Sequence, residues 1–273
     1  MADLTSTANV KEYLGIAAAI TTYDTLIGNL VTRVSRAIET YCNRTFNSTT
    51  YVMERYDPSQ TPLIYIKNYP IISLTRVTVG RRGVLEITHS DSGSVSATVS
   101  VSATGISTIM LGGSNAGTNT DLFATYTTLS SLATQITTHT SWTASTVDSD
   151  FDNIASLDLI PVGSRETQDA TINMEVPDLR LMDYQVDFTE GSIYRGAGYF
   201  GQWNDVFIDY TGGYATIPAD LEQIAIEITA EVFQSRTTNN TLKSEKIGDY
   251  SYTNVDSSKG IQSVVIGHSD DLA

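Results

Sequence analysis

No lysine or arginine occurs between Gly83 and Ser164, an 82-residue stretch in which Ser and Thr supply 27 of the 59 residues from Thr88 to Thr146. A segment without cations cannot close ion pairs within itself. Any order there has to rest on apolar burial and on hydrogen bonds from hydroxyls and backbone. The apolar pattern meets that requirement. Val95, Ala97, Val99 and Val101 alternate with Ser96, Thr98, Ser100 and Ser102, the period of a half-buried strand. Leu122, Phe123, Tyr126, Leu129, Leu132, Ala133 and Ile136 fit one helical face, and Trp142, Ala144 and Val147 alternate again. Threonine suits strand surfaces. Residues 84–190 are therefore expected as an inserted α+β domain, strands around one helix, rather than a disordered low-complexity segment.

The flanking segments have ordinary composition. A short helix is expected from Asn9 to Leu14, closed by Gly15. A longer one runs from about Thr22 to Asn43. Its stripe is Leu26, Ile27, Leu30, Val31, Val34, Ile38 and Tyr41, with Asp24 in its first turn and Arg44 at its end. Residues 46–83 read as strands around the Tyr69-Pro70 turn, with Arg81-Arg82-Gly83 as a hairpin tip. Val206 to Tyr210 reads as a strand and Thr211-Gly212-Gly213 as a turn. Pro218 then opens a helix whose stripe is Leu221, Ile224, Ala225, Ile228, Val232 and Phe233, ending near Arg236. Beyond it the strand-like pieces Tyr250 to Val255 and Ile261 to Ile266 have no obvious partner in the chain. The fold class expected is α+β: an N-terminal helix pair and a later helix packed as a bundle with short antiparallel strands, plus the insert and an extended C-terminal tail. The corresponding division is a core of 1–83 and 191–236, an insert of 84–190 and a tail of 237–273.

Composition narrows the function classes. Hydrophobic residues make up 41% of the chain, enough for a sizeable core. Lys+Arg 16 against Asp+Glu 31 leaves a net charge of −15, which disfavours specific binding of DNA or RNA. The single cysteine, Cys42, excludes an internal disulfide framework and a cysteine-rich zinc site, and it falls beside the apolar face of the second helix. The start MADLTSTANVKEYLG lacks the pattern of a signal peptide. The longest apolar patch, Leu14 to Ile20, is far short of the roughly 20 residues of a membrane span. A soluble protein of the cytoplasm, or of something assembled there, is expected, with no membrane association.

Motifs for chemistry are weak. Gly196 to Gly201 matches G-x-G-x-x-G, but a strand rather than a helix is expected after it, so a flexible aromatic loop is the better reading. Asp148, Asp150 and Asp152 are spaced like the start of a calcium loop, yet Asn153 and Leu159 stand where Gly and Glu are needed. A solvated acidic turn remains. His89, His139 and His268 are far apart, and no nucleophile elbow, Walker loop or catalytic-cysteine signature is present. Neither an enzyme nor a cofactor is expected. A segment such as Glu245 to Tyr252 could add to another protein's sheet or groove, which points to an assembly component.

Several segments resemble the head–tail connector (adaptor) proteins of long-tailed bacteriophages and gene transfer agents. They are Val10-Lys11-Glu12-Tyr13-Leu14-Gly15-Ile16, the helix end Ile38 to Phe46, Tyr69-Pro70-Ile71, and Val206 to Tyr214 continuing through Ile217-Pro218-Ala219-Asp220-Leu221. Glu245 to Tyr252 is similar to the family's segment after the last helix. Together they cover about 130 residues near the two ends of the chain. The resemblance implies a structural virion protein of the head–tail neck: a twelve-copy ring under the portal protein that receives the next neck or tail completion protein and lets DNA pass without specific binding. It makes Lys246, Ile247, Gly248, Asp249, Tyr250 and Tyr252 the expected portal-docking tail. The insert departs from the family core and is expected as a peripheral or lower-face decoration. The alternatives are another neck or tail completion protein, or a surface- or glycan-binding module with an aromatic platform from Trp142, Tyr199 or Trp203.

Overall fold

The three helices expected near the ends of the chain form, and they pack on one another. The computed structural model describes residues 3–57, 61–196, 198, 200, 205–236, 244–247 and 250–253. The chain begins with α1 (Thr7–Tyr13), α2 (Asp24–Cys42), β1 (Thr49–Tyr56), β2 (Leu63–Tyr65) and the long β3 (Ile71–His89). The insert follows with β4 (Ser96–Val101), β5 (Gly105–Leu111), β6 (Gly117–Leu122), α3 (Leu129–Thr137), β7 (Trp142–Thr146) and β8 (Val162–Glu166). Then come β9 (Ile172–Leu181), β10 (Gln185–Asp187), β11 (Ser192–Tyr194), β12 (Val206–Gly212), α4 (Ala219–Ser235), β13 (Ser244–Ile247) and β14 (Tyr250–Thr253).

In the helical layer, Ser6 caps α1 by accepting from the Asn9 amide, and Gly15 closes it at φ +67°. The Lys11 ammonium is buried and donates to the Ala18 and Ile20 carbonyls and to Asp24, which fixes the turn between α1 and α2. Val34 and Ile38 of α2 meet Leu221, Ala225 and Ile228 of α4. A second cluster joins Val10, Ile27, Leu30, Val31, Ile226 and Phe233. Leu26 and Tyr41, expected in the stripe of α2, are exposed at its edges. Cys42 is half-buried beside the first of these clusters, and burial raises its thiol pKa.

The central sheet has the order β1-β12-β3-β7, with β9 on the other edge of β3. Strand β3 pairs with β12 along Ile71 to Val79 and with β7 along Leu85 to His89, while β9 follows it from Val77 to Ile87. The expected hairpin tip at Arg81-Arg82-Gly83 is therefore not there; these residues lie inside β3. Their charges are met across the strands, Arg81 by Asp205 at 2.8 Å and Arg82 by Asp178 at 2.6 Å. Opposite charges on neighbouring strands make the dipeptide compatible with a sheet. The 83/84 division falls inside β3.

The insert has its own core. Val84, Leu85 and Ile87 of β3, Ala97, Val99 and Val101 of β4, and Met174 and Val176 of β9 enclose Phe123, Leu132, Ile136 and Trp142. Strands β6-β5-β4-β8 form its second sheet. Each large apolar side chain removed from water contributes about 1.5–3 kcal/mol, which supplies what absent ion pairs do not. Hydroxyls add the rest: Thr167 donates to the Ile87 and Ala170 carbonyls, and Ser102 to that of Gly105. The helix expected from Leu122 begins only at Leu129. One turn closes as the Tyr126 amide meets the Leu122 carbonyl. The helix then restarts at Thr128, whose capping box with Ser131 fixes the start of α3.

Strands β10, β11 and β2 form a small sheet, with Ile64 and Ile193 in the core beneath the central sheet. In the tail, β13 and β14 pair antiparallel with each other, Lys246 opposite Ser251 and Ile247 opposite Tyr250. The piece beginning at Tyr250 thus has a partner in the chain after all. Gly248-Asp249 between the strands is a dipeptide suited to two-residue hairpin connections. Ile261 to Ile266 lies outside the described residues. The capping box at α3 is expected to matter for the insert: Thr128→Ala should lower unfolding stability by about 1 kcal/mol, measured by urea denaturation.

Candidate functional site

Three segments far apart in sequence meet where α2 ends. Asn43 closes α2 in the left-handed conformation at φ 51°. The next residue, Arg44, places its guanidinium 4.0 Å from the ring centre of Tyr69, 4.5 Å from that of Phe46 and 6.0 Å from that of Tyr214. A cation over aromatic faces is attracted by the ring quadrupole. Backbone bonds tighten the corner: the Tyr214 amide donates to the Phe46 carbonyl at 2.7 Å, and the Gly213 amide to that of Pro70 at 2.9 Å. A Cβ on Gly212 would lie 2.0 Å from the Asn68 carbonyl oxygen, so only glycine lets β12 approach the segment between β2 and β3. Gly213, at φ +97°, has the same restriction against Asn47.

Polar groups at this corner are satisfied by one another. Asn68 accepts from the Thr45 amide at 2.8 Å and donates to the Tyr210 hydroxyl at 3.3 Å. The Tyr56 and Tyr210 hydroxyls both donate to the Glu54 carboxylate at 2.6 Å, and the Tyr210 ring stacks on Tyr51. Beside them a cleft of about 520 Å³ is lined by Arg36, Glu39, Arg44, Glu54 and Lys67 among others. Glu39 accepts from the Phe46 amide at 3.3 Å; its other oxygen is buried without a partner among the described residues, and burial raises its pKa.

A second polar knot joins core and insert. Asp209, in the middle of β12, accepts from Arg76 and from the Met53 amide. Met53 sits at φ 52° where β1 slips register against β12, so Asp209 holds a bulge. Arg76 also reaches Asp158 of the insert at 2.6 Å. The cation-free stretch thus borrows its partner from β3. A charge inside the apolar run Val206 to Tyr210 was a readable signal, because a buried carboxylate needs a partner; nothing local identified Arg76.

The other sequence candidates have local roles. Asp148 accepts from the Asp150 amide at a 3₁₀ turn, and Asp152 accepts from Thr146. His89 is fully buried, 2.8 Å from Gln168, with its ring 4.8 Å from that of Trp142. His139 lies 3.5 Å from Asp121. No group of three or more His, Cys, Asp or Glu among the described residues is placed to hold a metal ion. Trp142 is 4% exposed and belongs to the insert core, so it offers no aromatic platform. Tyr199, Trp203, His268 and three positions of the Gly196 to Gly201 stretch (Ala197, Tyr199 and Gly201) lie outside the described residues. The docking candidates Lys246, Ile247, Tyr250 and Tyr252 fall on the β13–β14 pair, and Gly248 and Asp249 lie outside the described residues.

Burial lifts the Tyr56 and Tyr210 phenols above the ordinary tyrosine pKa range, and their bonds to Glu54 lift them further. Folded values above unfolded ones leave stability intact below about pH 10 and lost as pH rises beyond it. Tyr210→Phe should cost about 1–2 kcal/mol at neutral pH and make that alkaline loss shallower, read by urea denaturation across pH.

Among curated proteins none matches the chain. Residues 3–129 match the family described as head completion protein, a span that holds α1, α2 and β1 to β6 and leaves β12 and α4 outside. No helix among the described residues is long and apolar enough to cross a membrane. Residues 3–129, a little under half of the chain, are thus similar to that family, and the match supports the likeness to phage head–tail connector and completion proteins.

Proposed function

We propose that the chain is a subunit of a head–tail adaptor ring, a structural component of the virion neck assembled in the host cytoplasm. It binds beneath the portal protein, offers the docking surface for the next neck or tail protein, and lines the channel through which DNA leaves. The head completion match over residues 3–129 carries this reading. The corner supports it: the segments quoted for the adaptor resemblance at 38–46, 69–71 and 206–214 pack against one another there. In this reading the core of 1–83 and 191–236 builds the ring, the insert of 84–190 decorates its periphery, and the tail of 237–273 reaches the portal through Lys246 to Tyr252.

The charge suits a conduit. Each copy carries −15, and a negatively charged ring does not neutralise phosphates, so it holds passing duplex weakly and lets it slide. The role asked of the protein is positional, without a catalytic step.

The family description also favours a second reading, a completion protein one ring further down the neck. Such a protein needs the adaptor ring in place before it binds. Co-sedimentation with isolated portal separates the two. The full chain should bind portal directly, and a chain ending at Thr241 should lose binding while keeping its circular dichroism. Binding retained by the shortened chain would overturn the tail assignment. A full chain that binds only portal already carrying another ring would move the protein down the neck.

A further inference from the structure

The helical layer carries opposite charge on its two outer faces. Along α2, Asn29, Arg33, Arg36 and Thr40 are exposed at spacings of four, three and four residues, one stripe of the helix. Along α4, Asp220, Gln223, Glu231 and Gln234 are exposed and Glu227 is half-exposed between them, again one stripe. The inner stripes of both helices are buried in the same two clusters. The outer stripes therefore point out of opposite sides of the layer, and one copy cannot bring them together.

Arg33 and Arg36 stand apart from most of the chain's other cations. Lys11, Arg76, Arg81, Arg82 and Arg195 each meet a carboxylate. Arg44 and Arg236 lie over aromatic rings. The side chains of Arg33 and Arg36 make no ion pair or hydrogen bond among the described residues. In a chain of net charge −15, two exposed guanidinium groups on one helix face are a scarce attractive surface for an acidic partner.

We propose that the α2 stripe of one copy docks on the α4 stripe of the next, with Arg33 and Arg36 facing Glu227 and Glu231. The occupant of each face is a second copy of this chain, because the complementary face is already on the molecule and points the other way. A contact between two different faces is heterologous, the kind of interface that builds a ring when its rotation closes. Arg33 and Arg36 are about 4.5 Å apart along their helix axis and Glu227 and Glu231 about 6 Å, within the reach of long side chains. Guanidinium and carboxylate groups pair in a fixed, two-pronged geometry, which sets register between copies. The contact also offsets the repulsion between acidic subunits where they come closest. This inference rests on the ring reading and names its subunit interface.

The test is a charge exchange on the full chain, read by sedimentation velocity. The wild-type chain should associate at low salt and dissociate at high salt, since exposed pairs are screened. Arg33→Glu/Arg36→Glu has two acidic faces and Glu227→Arg/Glu231→Arg has two basic ones. Each alone should remain monomeric. Their equimolar mixture should associate again, because every contact in an alternating assembly is then complementary, and that recovery also shows that both variants fold. A wild-type chain that stays monomeric at low salt and high concentration would overturn the interface. Association that both variants retain would also overturn it, since copies would then meet through other faces, and would leave the ring reading standing. The ring reading itself fails on a different result, a portal complex that holds a single copy.

Discussion

The approach of Gly212 to the Asn68 carbonyl, closer than any side chain permits, lets the late strand β12 settle between β1 and β3. From that seat the chain turns through Gly213 and Tyr214 into α4, and α4 completes the helical layer begun by α1 and α2. The Arg44 guanidinium among Tyr69, Phe46 and Tyr214 closes the same corner from the helical side. The start of the chain and α4 are thus one unit, although the insert lies between them in sequence. The direction in which α4 leaves this corner also sets where the tail begins.

The insert solves a different problem. Without a cation of its own from Gly83 to Ser164, it is held by an apolar core and by Ser and Thr hydroxyls that bond to backbone carbonyls. Its tie to the rest of the molecule is covalent and electrostatic at once: β3 and β9 run from one core to the other, and Arg76 reaches Asp158 while holding Asp209. None of its side chains enters the two helical clusters, while Leu181, Tyr184 and Val186 at its end join the cluster of Tyr210.

Much of this was legible in the sequence where periodicity is strong. The stripe of α4, that of α2 apart from Leu26 and Tyr41, the alternation of β4 and the strand Val206 to Tyr210 form as their spacing indicates. What was not legible depends on distant partners. Arg81-Arg82-Gly83 has the composition of a turn, but Asp178 and Asp205 lie about a hundred residues on and make it a strand. Leu122 to Tyr126 continues the period of α3 by coincidence, and the Thr128 cap overrides it. The polar knot at Glu54, Tyr56, Asn68 and Tyr210 draws on three segments and carries no local signature. Tyr250 to Thr253 lacked an evident partner because its partner is only three residues upstream, across Gly248-Asp249.

The central claim is that this chain completes the head side of the neck. Electron microscopy of particles from a phage unable to make the protein tests it most directly. The account predicts DNA-filled heads, or heads that have leaked their DNA, beside free tails. Heads that already carry tails would contradict it.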